Sequence, residues 1–371
     1  AKAARFVNQS AAKVVAVDLP TGVDADSGEA DENAVRADAT ITFGAAKPGL
    51  LFSPGREYAG TLRIADIGFP PKAIDTVHPN TWHLPKNEMS TLLPKRHPAD
   101  FKNKCGQILI VAGSEGMAGA ASLTSSSAVR VGAGLVVLAT TSDIVAQLAA
   151  HPLEVVKEPL QWQGQNMTDD SVQRLRARLQ WAHAVAIGPG LGQSAEAKLW
   201  LDEVLQHYNG PLIIDADGLN LLQDRMDLLK KRQGETVLTP HPGEFLRLSG
   251  LQKNDLKPVP IDMAREFATR YGVHLLLKGA PSLLALSNGR VYINSAGNSG
   301  MATAGMGDVL TGVISGLAGQ LPLQQAALLG MFLHSRAADI AIRTIDPLSL
   351  TAGDVLSYLP QTFMELRSSH D

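Results

Sequence analysis

The sequence predicts an α/β protein, a mainly parallel sheet flanked by helices, on three observations. Between residues 99 and 360, short apolar runs alternate with helix-length segments, the pattern of a parallel sheet. Five of those runs, ending at Ala112, Ile187, Asp215, Thr239 and Leu277, carry Gly, Asp, His or Lys at their ends. In a parallel sheet such ends converge on one edge. Toward the C-terminus a glycine-rich loop feeds a buried helix, with Asp308 at the junction.

A length of 371 residues suggests two domains, placed at 1–80 and 81–371. Hydrophobic content of 45% is ample for a sizeable core, and a net charge of −3 leaves no basic footprint for nucleic acid. A single cysteine, Cys105, excludes an internal disulfide and suits a reducing cytoplasm. The longest apolar runs, such as Ala326–Leu333, fall short of the ~18 residues of a membrane span. No charged-then-apolar leader opens the chain, which does not begin with Met and is expected to be a fragment or a processed form.

In chain order, Val14–Asp18 reads as a buried parallel strand, broken by Leu19-Pro20-Thr21-Gly22 into an acidic loop. Thr40–Phe43 and Thr61–Ile64 read as two further strands, with little helix among residues 1–75. Asp18 stands where α/β folds place ligand-binding groups, or else caps its own turn. Residues 70–98, with Pro70, Pro71, Pro79, Pro85, Pro94 and Pro98, read as a linker.

The second domain follows as Ile108–Ala112 (strand), Ala120–Val131 (helix), Leu135–Ala139 (strand), then helices Asp143–Ala150 and Ser171–Gln180. Ala184–Ile187 runs into Gly188-Pro189-Gly190-Leu191-Gly192 and the helix Ala195–His207; this is not a dinucleotide G-x-G-x-x-G. Leu212–Asp215 ends in Asp215-Ala216-Asp217, whose two carboxylates are the best candidates for a divalent metal, with an N-cap role equally open for Asp217. Val237–Thr239 leads into Pro240-His241-Pro242-Gly243-Glu244, which presents His241 rigidly and puts Glu244 in a first helical turn. His274–Leu277 ends in Lys278, able to reach a phosphate as a point charge. Leu283–Leu286 and Arg290–Ile293 form a hairpin around Ser287-Asn288-Gly289. Helices Gln324–Ile342 and Thr351–Leu359 and a frayed polar tail, 365–371, complete the chain.

The stretch that matters most is Asn294–Gln320, with Gly297, Gly300, Gly305 and Gly307 within eleven positions. Val309, Leu310, Val313, Ile314 and Leu317 then mark one apolar stripe of a helix. Free N–H groups and the positive helix end converge there, which suits a phosphate or a developing oxyanion. The dipole is expected to keep Asp308 ionised, so that it could accept a proton from a hydroxyl attacking a phosphoryl group. Read blandly, Asp308 is an N-cap and the glycines a turn. No Walker A pattern occurs.

Residues 99–360 resemble the ribokinase-like fold and, within it, the ADP- or ATP-dependent NAD(P)H-hydrate dehydratase family. The resemblance rests on GSEGMAGAASLTSSSAVRVGAGLV (113–136), IGPGLG (187–192), DADGLNLL (215–222), TPHPGEFLRL (239–248), KGAPSLLA (278–285) and GNSGMATAGMGDVLTGVISGL (297–317). Residues 14–68 (VVAVDLPTGVDADSG … ITFGAAKPGLL … ADIG) are similar to the second half of the NAD(P)H-hydrate epimerase domain, a partial Rossmann-like segment. Its first half, with the family's potassium-binding Asn loop, is not matched, so epimerase activity is not expected.

The resemblance implies dehydration of the S epimer of hydrated NADH or NADPH at the expense of ADP or ATP with Mg2+, through phosphorylation of the C6 hydroxyl and elimination. It implies Asp308 as the base. Ala120, Gly190, His241 and Asp308 would contact the hydrated dinucleotide, and Lys278, Gly279, Ala280, Pro281, Ser282 and Gly307 the adenine nucleotide. Gly305, Met306 and Gly307 would form the anion hole, Met306 standing where Ser is frequent. In the remnant, Asp18 maps to a substrate contact and Thr21 to a potassium (K+) ligand. The family often forms homo-oligomers. The competing readings are a kinase for a small vitamin or sugar hydroxyl and a nucleotide-binding regulatory module without turnover.

Overall fold

The computed structural model describes residues 2–77, 79–84, 86–163, 166–256 and 259–368. The chain divides into two compact units, Ala1–His83 with Leu251–Met263, and Leu84–Gly250 with Ala264–Asp371.

In the first unit helix α1 (Lys2–Gln9) precedes three parallel strands, β1 (Val15–Val17), β2 (Ala39–Phe43) and β3 (Thr61–Ala65), in the order β1-β2-β3. Two short helices, α2 (Pro48–Leu51) and α3 (Gly55–Ala59), separate the last two strands. Val23, Ala34, Leu50 and Ala59 make a small core. The expectation of a buried strand at Val14–Asp18 does not hold: Val15 is 55% and Val17 66% exposed, and only Ala16 is buried. Strand β1 has β2 on one side and a bare face, so its outward valines meet solvent.

The stretch 70–98 is more structured than a linker. It holds α4 (Pro71–Val77), β4 (Thr81–His83) and α5 (Lys86–Thr91); Pro85 lies outside the described residues. The prolines sit at helix starts and between elements, where a missing N–H costs nothing.

The second unit alternates as its apolar runs require: β5 (Gln107–Val111), α6 (Ala118–Arg130), β6 (Leu135–Thr141), α7 (Ser142–Gln147) and β7 (Val155–Leu160). A short ladder, β8 (Trp162–Gln163) with β9 (Asn166–Met167), follows. Then come α8 (Asp169–Trp181), β10 (Ala184–Ile187), α9 (Ala195–His207), β11 (Leu212–Ile214), α10 (Asp217–Leu222), β12 (Thr236–Leu238), α11 (Pro242–Ser249) and, from Ala264 on, α12 (Ile261–Tyr271). The chain ends with β13 (His274–Leu277), β14 (Ser282–Ala285), β15 (Val291–Asn294), α13 (Met306–Ala318), α14 (Leu323–Ala341) and α15 (Ala352–Arg367).

The strand order is β15-β14-β13-β12-β11-β10-β5-β6-β7. From β13 to β7 every pairing is parallel, and β14 and β15 are antiparallel. The carboxyl ends of β5, β10, β11, β12 and β13 therefore share one edge, where α/β sheets bind ligands.

Helices α13 and α14 lie in the core, both nearly buried along their length. Helix α13 packs on α6 through backbone rather than side chains. A Cβ added at Gly312 would stand 2.1 Å from the Thr124 carbonyl, and one at Gly316 would stand 2.6 Å from that of Ala128. Helix α15 runs beyond the predicted Leu359 and through Pro360 to Arg367; residues 369–371 of the tail lie outside the described residues. Its buried stripe, Val355, Leu359, Thr362 and Leu366, keeps helical spacing past the proline, and that burial outweighs the lost hydrogen bond. Among the described residues no helix is long and apolar enough to cross a membrane.

Two outcomes follow. Gly312→Val should lower the unfolding free energy by about 1–3 kcal/mol or more through overpacking, read from the urea midpoint; an unchanged midpoint would show that α6 and α13 can part freely. The second concerns His334 on α14. Burial, with the Lys278 ammonium adding to it, drops its pKa from 6.5 to about 4, while a hydrogen bond to the Met306 backbone opposes the shift. The unfolded chain takes up this proton first. Stability is therefore undiminished above about pH 6.5 and lost as pH falls toward 4, by on the order of 2–3 kcal/mol. His334→Gln should flatten that part of the stability–pH curve, followed by denaturation at pH 4.5 and 7.

Candidate active site

The site is built where α13 begins. Gly305, its N-cap, has φ +86°, a left-handed conformation suited to glycine. A Cβ there would also strike Leu123 at 2.7 Å. With no side chain on the cap, none competes for the first free amides of the helix, those of Met306, Gly307 and Asp308. Among the described residues none of the three amides donates to a backbone or side-chain acceptor. Asp308 stands at the third helical position, half-buried, beside this cradle of donors.

Directly against Gly307 lies a charged cluster. A Cβ on Gly307 would sit 3.2 Å from the Lys278 Nζ and 3.6 Å from Asp215 Oδ2. Lys278, just past β13, donates to Asp215 Oδ1 at 2.8 Å and lies 3.8 Å from Glu244 Oε2. Its backbone N–H is tied to the Pro240 carbonyl at 2.8 Å, which joins the ends of β12 and β13. Burial pulls the Lys278 ammonium toward neutrality, but Asp215 and Glu244 outweigh it and hold its pKa above the usual value.

Burial and neighbouring charge act against the ionised form of Asp308 that the helix start favours. Burial first, and the negative charge of Asp215 second, raise its pKa to about 6, with Lys278 offsetting part of the rise and Asp217 adding to it. A pKa of about 6 still leaves Asp308 mostly ionised at pH 7. Asp308 is thus tuned close to neutrality, the range of a working general base.

Asp215 and Asp217, the candidates for a divalent metal, each have protein partners. Asp215 accepts from Lys278 on Oδ1 and from Thr311 Oγ1 on Oδ2 at 2.7 Å. Asp217 accepts from the Gly192 N–H at 2.9 Å and from Gln193 and Asn220. Each carboxylate keeps acceptor capacity beyond these donors; among the described residues no group of three or more metal-binding His, Cys, Asp or Glu side chains occurs.

The other predicted residues fall into four groups. Gly190 (φ +58°) approaches α6 so closely that a Cβ would sit 2.9 Å from that of Ala120, so these two positions are neighbours. His241 is the N-cap of α11: its Nδ1 accepts from the N–H groups of Gly243 and Glu244, and Glu244 Oε2 accepts from the His241 N–H, closing a capping box. Gly279, Ala280, Pro281 and Ser282 form a tight turn in which the Ser282 hydroxyl bridges the Gly279 N–H and carbonyl. Asp18 and Thr21 belong to the first unit. Asp18 accepts from Lys47, Thr42 and the Phe43 N–H, and Lys47 before Phe43 draws its pKa below the ordinary carboxylate value. Thr21 is exposed, its carbonyl taken by the Val35 N–H.

Sequence reasoning missed Thr311 and the pairing of Glu244 with Lys278. Thr311 stands one turn after Asp308, so helical spacing alone places it on the same side; the Glu244–Lys278 approach joins two strand ends and has no local signal.

Residues 108–361 match the family described as NAD(P)H-hydrate dehydratase, and residues 1–49 that of the YjeF-related protein N-terminus. The chain is 39% identical over 363 residues to the bifunctional NAD(P)H-hydrate repair enzyme of Moorella thermoacetica, spanning 97% of this chain and 68% of that protein. Against the enzyme of the same description from Escherichia coli the identity is 37% over 354 residues, 95% of this chain and 65% of that protein. Among solved structures, the ADP/ATP-dependent NAD(P)H-hydrate dehydratase of Bacillus subtilis, co-crystallised with ATP/Mg2+, superposes with a TM-score of 0.67 at 28% identity, covering 77% of this chain and 99% of that one. A ribokinase-like superfamily protein from Enterococcus faecalis shares the fold, with a TM-score of 0.69 at 24% identity over 77% of this chain and 96% of that one. The five strand ends, the bare helix start at Asp308 and these matches agree: the chain belongs to the bifunctional NAD(P)H-hydrate repair enzymes, with the NAD(P)H-hydrate dehydratase, a lyase, in its second unit.

Proposed function

We propose that the second unit restores NADH or NADPH from the S epimer of the hydrate by an ADP-driven phosphorylation and elimination, with Asp308 as the general base. One observation carries this reading: a carboxylate with a pKa of about 6 beside three unclaimed amides at a helix start. Asp308 takes the proton of the C6 hydroxyl as its oxygen attacks the terminal phosphorus of the nucleotide. The bond from that phosphorus to the bridging oxygen breaks and AMP leaves. The amides of Met306 and Gly307, and Lys278 beside them, face the charge that develops on the transferring group. The ring nitrogen lone pair then expels phosphate from C6, and loss of a proton from C5 restores the dihydronicotinamide.

In this reading Ala120, Gly190 and His241 contact the hydrated dinucleotide. Lys278, the Gly279–Ser282 turn and Gly307 hold the adenine nucleotide. Magnesium enters with the phosphates, and Asp215 and Asp217 are our candidate carboxylates for it. Thr21 is our candidate potassium ligand in the first unit, which takes no part in this reaction. A kinase for a small hydroxyl would stop at an accumulating phosphorylated product. The dehydratase reading requires phosphate release in step with rising absorbance of the reduced nicotinamide.

Two measurements test the base. Asp308→Asn should lower kcat by about 10²–10⁴ while leaving nucleotide binding, followed by calorimetry, largely intact; full activity in this variant would remove the base from the mechanism. The same substitution should stabilise the fold at pH 8. The pKa of Asp308 is raised by folding, so its ionised form is penalised above about pH 6 and carries no penalty below about pH 4. A gain of roughly 1–2 kcal/mol at pH 8, absent at pH 4, is expected in thermal melts, the pKa shift being discounted for partial exposure. Second, kcat/KM of the parent enzyme should fall on the acid side with a midpoint near pH 6, as Asp308 takes up a proton; a flat profile down to pH 5 would exclude it.

A further inference from the structure

We propose that Asp215 is a positioning residue of the dehydratase: it ties Lys278 and helix α13 together, and so fixes both the ammonium and the carboxylate that act on the transferring phosphoryl group. The proposal rests on the base reading of Asp308 given above.

The carboxylate of Asp215 is 1% exposed, and its two oxygens serve two different elements. Oδ1 receives the Lys278 ammonium at 2.8 Å from the end of β13. Oδ2 receives the Thr311 hydroxyl at 2.7 Å from α13. Thr311 is buried and lies three residues after Asp308, so the bond to Thr311 sets the rotation of α13 and with it the direction of Asp308. Lys278 in turn lies against the Gly307 backbone, within the cradle of free amides. One buried side chain therefore links the cation, the base and the anion-binding turn.

The backbone around Asp215 is held as firmly. Its N–H donates to the Ile187 carbonyl at 3.1 Å, and its carbonyl accepts the Gly218 N–H at 2.9 Å. A Cβ on Gly188 would come 1.9 Å from the Asp215 carbonyl oxygen, so the Gly188–Gly192 loop closes directly over it. The next residue, Ala216, has φ +49° and ψ −119°, a conformation that alanine adopts only under constraint. Strain of this kind at the end of a central strand marks a residue whose placement is specified.

Asp215 also acts on Asp308 through its charge. Asp308 meets Asp215 from the end of β11, Asp217 from α10 and Lys278 from the end of β13. Glu244 on α11 lies behind Lys278, and His334 on α14, buried and with a depressed pKa, contacts the Met306 backbone. Removing the charge of Asp215 removes a neighbour that raises the pKa of Asp308 and leaves Lys278 closer to it in effect. A general loss of stability in an Asp215 variant would not by itself move the pH at which Asp308 titrates.

The test is the dehydration of NADH hydrate with ADP as phosphoryl donor, with the full chain and three variants. In Asp215→Asn, kcat should fall at least tenfold and the acid midpoint of kcat/KM should move below that of the parent. In Thr311→Val, kcat should fall about tenfold with the acid midpoint unmoved, since no charge is lost. Thr311→Ser, which keeps the hydroxyl, should restore kcat to within about threefold of the parent. An Asp215→Asn enzyme with parental kcat and an unmoved midpoint overturns the proposal. Should Asp215→Asn not fold, the threonine pair decides alone: equal rates for Thr311→Val and Thr311→Ser overturn it. Asp308→Asn separates the two levels. If that variant stays active, the base reading fails; if it is inactive while the Asp215 and Thr311 variants behave as the parent, only the positioning role fails.

Discussion

The site depends on how closely α13 can approach its neighbours. At Gly312 and Gly316 the helix rests on the carbonyl oxygens of α6, with no room for a methyl group. At Gly307 it rests on Lys278 and Asp215. Three glycines on one helix weaken its intrinsic propensity by up to about 1 kcal/mol each relative to alanine. The helix persists because nearly every other residue along it is buried, so tertiary packing holds it where local propensity would not. That depth also thins the water around the helix start, which strengthens its amides as donors and raises the pKa of Asp308.

Charge within this buried region is unequal. Asp215, Glu244 and Asp308 act on the Lys278 ammonium, and Asp217 adds its charge to Asp308. A lone buried ion pair contributes little, because desolvation cancels most of its attraction. Here the excess of carboxylates has a different effect. It keeps Lys278 protonated despite burial and keeps Asp308 close to the point of taking a proton. Stability is given up locally, and the surrounding core of α13, α14 and α6 maintains the arrangement.

Much of this was legible in the residues. The strand runs Ile108–Ala112, Ala184–Ile187 and His274–Leu277 are short, apolar and ended by special residues, and they sit within a residue of their observed bounds. The glycine loop and the stripe after Asp308 located α13 because a 3.6-residue period is a local property. What the residues did not reveal was of two kinds. Val15 and Val17 were read as covered, but burial of a strand depends on what lies across its faces, which a five-residue window does not contain. The state of Asp308 and the occupancy of Asp215 depend on Lys278 and Thr311, which come from 63 and 96 residues further along the chain than Asp215. Long-range partners of that kind leave no periodic trace. Pro360 misled in the opposite sense, because a strong local breaker was overruled by a buried stripe on both sides of it.

The cap of α11 has a chemical consequence of its own. Because two backbone amides point at Nδ1 of His241, the neutral ring must carry its hydrogen on Nε2. The imidazole is therefore locked in one tautomer by the helix it starts. Its outward edge can offer a hydrogen but cannot receive one, so any group it greets must bring a lone pair, such as a carbonyl or a phosphate oxygen. A fold-building contact thereby selects the polarity of whatever docks beside it.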